Sequence, residues 1–256
     1  MPLDIVTVPC RTDNYAYLLH DRASGQTALV DAPEAAPLLE ALTLRGWTLH
    51  QVFLTHHHPD HVEGLPGLRA AFPDLRVLGA TACAHRLPPL DQALAEGDTV
   101  QVGGDTGHVL DVSGHTLGHI AFHFPGSRAA FTADSLMALG CGRLFEGTPA
   151  QMWDSLSKLA ALPPDTLICS GHEYTQSNAR FALTIDPGNA ALHDRAAQIE
   201  DARARGLPTV PSLLSVELQT NPFLRAADAA VQAQLGMSGA APVDVFTEIR
   251  ARKDRF

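Results

Sequence analysis

The sequence predicts an α+β chain: a layered sandwich of two strand groups with helices outside, followed by a helical C-terminal segment. Three observations predict it. Short strand-like runs alternate with helices over the first 172 residues, a second group of strands separated by Gly, Ser and Pro begins near Thr99, and strand signals fade after His172. The expected domains are therefore 1–172 and a helical 173–256.

Ile5–Val8, Tyr15–Leu19 and Thr27–Val30 read as strands, with Asp21 to Gly25 supplying a turn. Ala35 to Leu44 reads as a helix, Pro37 being tolerable only in its first turn. Gln51–Leu54 is a short apolar run of strand type, and Val62 to Phe72 takes helical spacing once past Gly64 and Pro66. Arg76–Leu78, Thr99–Val102, His108–Val112, Ile120–Phe124 and Ala129–Thr132 are further strands, the last four arranged as meanders. Pro149 to Leu162 is helical and Thr166–Cys169 is the final strand. Beyond them, Tyr174–Leu183, Ala190–Arg205 and Pro222–Leu235 read as helices, punctuated by Asp186-Pro187-Gly188 and Gly206-Leu207-Pro208.

A chain of 256 residues can bury a substantial core. Its net charge of -10 argues against a nucleic-acid partner, because phosphate binding needs an excess of Lys and Arg. Arg250, Arg252, Lys253 and Arg255 form a local exception with only Asp254 among them; a solvated helix end would look the same. The four cysteines lie in no C-x-x-C pair and read as buried small hydrophobes. The opening Met1-Pro2-Leu3-Asp4-Ile5 does not resemble a signal peptide, and no run of about 20 apolar residues is present to span a membrane. A reducing cytoplasm is the expected compartment.

Residues 55–61 read Thr55-His56-His57-His58-Pro59-Asp60-His61. So many imidazoles beside a carboxylate is metal-binding chemistry. His56, His58, Asp60 and His61 cannot all face one ion from a regular helix or strand, but from a loop two pairs can face two neighbouring ions. The segment sits where a strand ends and a helix begins. Two ions need further ligands, and three isolated residues offer them. His115, Asp134 and His172 each follow a strand-like run at a turn of small residues. A lone histidine is weak support; the repetition of strand, turn and ligand carries the inference. His57 is expected to point away from the ions, and His119 reads as either an outer donor or a structural histidine. Asp31, closing Ala28-Leu29-Val30-Asp31, reads equally as an acceptor for a ligand histidine's ring N–H or as a loop-start carboxylate.

These motifs resemble the metallo-β-lactamase superfamily, whose H-x-H-x-D-H pattern matches His56, His58, Asp60 and His61. The resemblance implies a four-layer αββα sandwich over 1–172. It implies that His56, His58 and His115 hold one ion, that Asp60, His61 and His172 hold the other, and that Asp134 bridges. Within the superfamily the chain is similar to the glyoxalase II family, through Cys141-Gly142-Arg143-Leu144-Phe145-Glu146-Gly147-Thr148, through Gly171-His172-Glu173-Tyr174-Thr175, and through the helices ending in Arg250 to Asp254. That likeness implies a hydrolase cleaving the thioester of S-(2-hydroxyacyl)glutathione, S-lactoylglutathione above all, to glutathione and D-lactate; a monomer is the expected state, though no residue pattern carries it. Arg143, Phe145, Tyr174, Arg250 and Lys253 become the substrate-binding residues. Members often carry Lys and Tyr where this chain has Arg143 and Phe145. Arg143 can still meet a carboxylate, whereas Phe145 offers only an apolar wall.

Two divalent ions, zinc with iron or manganese as alternatives, suit a His and carboxylate set. Asp60 would also orient the attacking hydroxide, and Asp134 would share the catalytic role as bridge. A thiolate leaves without strong acid assistance, so a thioester fits a site lacking a dedicated acid. There is no G-x-S-x-G elbow for a serine nucleophile. The rival expectation is a persulfide dioxygenase-like enzyme with one redox iron on a similar scaffold. A nucleic-acid hydrolase and a structural metal module are opposed by the net acidity and by the cysteine-free donor set.

Overall fold

The computed structural model describes residues 2–256. The chain divides into two compact units, one running through Asp111 and resuming over Leu117–Ala133, the other made of Val112–Thr116 and Asp134–Phe256.

In the first unit, β1 (Asp4–Cys10), β2 (Asn14–His20), β3 (Thr27–Val30), α1 (Ala35–Arg45), β4 (Gln51–Leu54), α2 (Pro59–Val62), α3 (Leu65–Ala71), β5 (Arg76–Ala80) and β6 (Gln92–Leu94) come first. The six strands form a mixed sheet in sequence order, with β1, β2 and β3 antiparallel and β3 to β6 parallel. Then come β7 (Thr99–Val102), β8 (Asp105–Asp111), β9 (Ile120–Phe124) and β10 (Ala129–Ala133), an antiparallel meander. Aromatic rings join the two sets of strands: Phe53 of β4 lies 5.2 Å from Phe122 of β9, and Tyr17 of β2 meets Phe131 of β10 edge-on at 5.5 Å. Fully buried rings of this size dominate core energetics.

The parallel pairing decides where chemistry can sit. The register Val30↔Phe53 brings the carboxyl ends of β3 and β4 to one edge, where ligand sites of such sheets form. The antiparallel pairing Tyr17↔Val30 brings the start of β2, Asn14, to that edge as well. Gly64, between α2 and α3, admits no side chain: a Cβ there would lie 2.8 Å from Ala35 N and 2.9 Å from Ala32 O. Its own N–H donates to Ala32 O at 2.8 Å, fixing the helical turn against the end of β3.

The second unit contains the hairpin β11 (Leu136–Met137) and β12 (Gly140–Cys141), α4 (Pro149–Ala160) and β13 (Leu167–Ser170). It continues through α5 (Thr175–Ile185), α6 (Ala190–Ala204), β14 (Ser212–Leu213), α7 (Leu214–Thr220), α8 (Ala229–Leu235) and α9 (Pro242–Arg255). α4 starts from a capping box, Thr148 accepting from Gln151 N while the Gln151 side chain accepts from Thr148 N. Phe181, Phe223 and Phe246 form the aromatic core, with Trp153 against Phe246.

The architecture is α+β, as the sequence predicts, and the differences are local. The helix expected over Pro222–Leu235 begins only at Ala229, because the Asp228 carboxylate accepts from Ala230 N and Val231 N and starts it there. Residues 222–228 run through turns instead. β11, β12 and β14 are two residues each, too short to show a period, and α7 was not anticipated. All four cysteines are buried. Burial pushes the Cys141 thiol up to about 11, so it is protonated at neutral pH.

Candidate metal centre

In the first unit the donor-rich segment follows β4 directly. The rings of His56 and His61 have their tautomers set by neighbours. The Thr55 hydroxyl donates to Asp31 Oδ2 at 2.8 Å, so its lone pair accepts the Nδ1–H of His56 at 3.0 Å. This leaves His56 Nε2 as a lone pair, 3.1 Å from His58 Nδ1. His61 donates its Nδ1–H to Asp31 Oδ2 at 2.7 Å, which leaves His61 Nε2 as a lone pair 3.8 Å from Asp60 Oδ2. Asp31 thus fixes two rings at once, and Thr55 N donates to its other oxygen at 2.9 Å. The Asp31 backbone is left-handed, at φ 59°, a conformation rare outside glycine and typical of functional sites. The ligand atoms of Asp31, His56 and His61 all lie within 4.8 Å of one another.

Two further residues hold this half. Asn14 Nδ2 donates to Asp60 Oδ2 and to Asp60 O, both at 3.1 Å, which orients the carboxylate. The fully buried His119 stacks on His56 with ring centroids 4.6 Å apart. Asn14 had no signal in sequence; a single asparagine at a strand start is unremarkable until the sheet brings it to Asp60.

In the second unit, Asp134 follows the left-handed Ala133, at φ 41°. Its Oδ2 lies 3.3 Å from His115 Nε2 and 3.4 Å from His172 Nε2. His115 donates Nδ1–H to the carbonyl of Arg143 at 2.8 Å, so its Nε2 faces Asp134 as a lone pair. A carboxylate oxygen and an imidazole lone pair repel unless a cation or proton stands between them. Two ligands on one tetrahedral zinc, with bonds of about 2.0–2.1 Å, stand about 3.3 Å apart. The 3.1, 3.3 and 3.4 Å separations fit that value, so the residues present fit a metal. A Cβ on Gly142 would collide with the Asp134 carbonyl and crowd His115 Nδ1, so only glycine permits this approach.

The expected substrate residues fall into two groups within this unit. Phe145, 60% exposed, presents its ring edge-on to His115 at 5.3 Å, and Tyr174 stacks on His172 at 4.6 Å. The cations gather around Asp254. Its Oδ1 accepts from Arg250 Nη2 at 2.8 Å and from the exposed Arg143 at 3.4 Å. Arg250 is buried and also donates to Cys141 O at 3.1 Å. Lys253 lies over the rings of Phe181 and Phe256; burial, then the Arg250 charge, lowers its ammonium to about 8.

A mixed sheet facing a meander, with His and Asp donors at its carboxyl edge, defines a protein of the metallo-β-lactamase superfamily. Residues 12–172 match the family described as "Metallo-beta-lactamase superfamily" and residues 173–256 match "Hydroxyacylglutathione hydrolase C-terminus". The chain is 70% identical over 256 residues, all of both chains, to the hydroxyacylglutathione hydrolase of Ruegeria pomeroyi. It belongs to the hydroxyacylglutathione hydrolase family, also called glyoxalase II.

Among solved structures, that of TTHA1623 in a di-iron-bound form has a TM-score of 0.61 at 26% identity, covering 86% of this chain and 100% of the other. ETHE1 from Myxococcus xanthus has a TM-score of 0.66 at 23% identity, covering 99% and 98%, a likeness of fold alone.

Proposed function

We propose that this chain hydrolyses the thioester of S-(2-hydroxyacyl)glutathione, S-lactoylglutathione being the substrate, to glutathione and D-lactate. The full-length likeness to the R. pomeroyi hydroxyacylglutathione hydrolase carries this conclusion. Two divalent ions are proposed, zinc in both places: by the family likeness His56, His58 and His115 would hold one, Asp60, His61 and His172 the other, and Asp134 would serve both. The position of Asp134 Oδ2 between two imidazole nitrogens supports a bridge. When bound, such a pair supplies hydroxide at neutral pH, by lowering the pKa of water from ~15.7 to roughly 7, and Lewis-acid stabilisation of an oxyanion.

The chain's own residues do the rest. Asp60, steadied by Asn14, accepts a hydrogen bond from the attacking group and points it at the thioester carbonyl. No residue need protonate the leaving group, because a thiol of pKa about 8.5 departs as thiolate. Phe145 and Tyr174 wall the path of glutathione beside His115 and His172, while Arg250 and Lys253, with Arg143, receive its glycine carboxylate. Residues 1–172 thus carry the chemistry and, through Arg143 and Phe145, part of the binding, and 173–256 supply the rest. A monomer in a reducing cytoplasm is the proposed setting; the four free thiols accord with it. Among the described residues, no helix is long and apolar enough to cross a membrane.

The test is thiol release from S-lactoylglutathione, run with His58→Ala, with chelator-treated protein and with metal analysis. Two ions per chain and loss of release in His58→Ala are expected. One iron per chain with oxygen consumption would replace this assignment by the dioxygenase-like one.

A further inference from the structure

The hairpin of β11 and β12 is two residues a side, closed by Ala138 and the left-handed Leu139 at φ 55°. A hairpin of this size does not hold itself. Its backbone is instead gripped by side chains from the helices. Leu139 N donates to Glu217 Oε2 at 2.8 Å. Asn221 Nδ2 donates to Met137 O and Gly140 O, both at 3.0 Å, and to Glu217 Oε2 at 3.1 Å. Asn178 Nδ2 donates to Ala138 O at 3.0 Å. Glu217 itself is fully buried, its other oxygen accepting from Ser212 Oγ at 2.6 Å and from Arg195 Nη2.

The two ends of this hairpin lie at the proposed metal centre. Asp134 lies two residues before β11, with Ser135 between. Beyond β12, Gly142 N donates to Ser135 O at 3.1 Å and its Cα abuts Asp134 O, and Arg143 O fixes His115. Moving the turn therefore moves both the carboxylate and the histidine that faces it.

We propose that Glu217 and Asn221 are positioning residues for the metal centre: they clamp the Met137–Gly140 turn and thereby set where Asp134 and His115 stand. The helical segment that follows residue 173 thus shapes the ligand set as well as binding substrate. The proposal rests on the two-ion site proposed above. Partners that orient ligands from outside are worth about 10–100-fold in metal affinity.

The test uses the full chain loaded with zinc. Zinc affinity by competition with a chromophoric chelator, and the exchange rate of the Leu139 amide, are measured for wild type, Asn221→Ala, Glu217→Gln and Val231→Ala. Val231 is a buried residue of α8 outside this network, so its truncation controls for general loss of stability. Asn221→Ala and Glu217→Gln are expected to bind zinc about 10–100-fold more weakly, with faster Leu139 exchange. Val231→Ala is expected to melt lower yet keep wild-type zinc affinity. Should Glu217→Gln not fold, Asn221→Ala decides, since it leaves the Glu217–Arg195 pair in place. Wild-type zinc affinity in Asn221→Ala, or an equal loss in Val231→Ala, overturns the proposal. If wild type itself fails to bind two zinc ions, the two-ion site falls, and this proposal with it.

Discussion

Asp31 Oδ2 lies 2.7 Å from His61 Nδ1, and both side chains are buried. The same carboxylate accepts from Thr55 Oγ1, which in turn receives His56 Nδ1–H. One residue therefore orients a histidine proposed for each ion. Asp31→Ala is expected to lower metal affinity and kcat/KM by about 10–100-fold. It also leaves the buried Thr55 N–H without its acceptor, costing about 1–3 kcal/mol of stability. Metal content, steady-state kinetics and thermal melting check this together. A variant with full metal and wild-type kinetics would remove Asp31 from the site.

Phe145 stands beside His115 with an exposed ring and no hydrogen-bond donor. A tyrosine hydroxyl there would add one neutral hydrogen bond to bound glutathione. Such a bond is worth about 0.5–1.5 kcal/mol, so Phe145→Tyr is expected to lower KM about 2- to 12-fold with kcat little changed. An unchanged KM would mean that glutathione does not pass this ring.

The proposed ligand set is legible because its chemistry is local in sequence. His56 to His61 sit together, and His115, Asp134 and His172 each follow a recognisable strand. The residues that orient them were less legible. Asn14 reaches Asp60 only because β2 pairs antiparallel with β3, and a sheet register cannot be read from one strand. Glu217 carries no signal at all, since a carboxylate at helical spacing reads as a solvated face until three elements bury it. The meander was readable because its strands are short apolar or alternating runs separated by Gly, Ser and Pro: Thr99–Val102 alternates between exposed and buried, whereas Ile120–Phe124 and Ala129–Ala133 are buried throughout. Two-residue strands such as Leu136–Met137 have no period to detect.

Arg143 and Arg250 share Asp254 but differ in what else they do. Arg143 has a side chain 57% exposed, whereas Arg250 is buried and holds the Cys141 carbonyl. Arg143→Ala is expected to raise KM with kcat and melting temperature nearly unchanged. Arg250→Ala should raise KM too, and also lower the melting temperature. A lost hydrogen bond to a charged group costs about 1.5–3 kcal/mol, or roughly 3–12 °C in a chain of this size. Equal melting temperatures for the two variants would contradict the structural part of Arg250's role.

Lys253 gives the proposed binding site a pH dependence. Burial, then the neighbouring Arg250 charge, lowers its ammonium from 10.5 to about 8. At pH 7 it is charged and can meet a carboxylate; as pH rises through 8 the folded enzyme loses that charge. KM is expected to climb between about pH 7 and pH 9, and Lys253→Arg to flatten the climb because a guanidinium stays charged. The sign for stability is opposite. The folded chain binds this proton less tightly than the unfolded chain does, so the charged lysine weakens the fold below pH 8, and that cost fades as pH rises from 8 towards 10.5. Lys253→Met, which keeps an apolar stem over Phe181 and Phe256, should therefore melt slightly above wild type at pH 7, by a margin that narrows above pH 8. Half-exposure keeps that margin small. Melting curves of both proteins across this range, beside KM measured at each pH, decide it; a margin that does not change with pH, together with a flat wild-type KM, would show that Lys253 keeps its proton throughout.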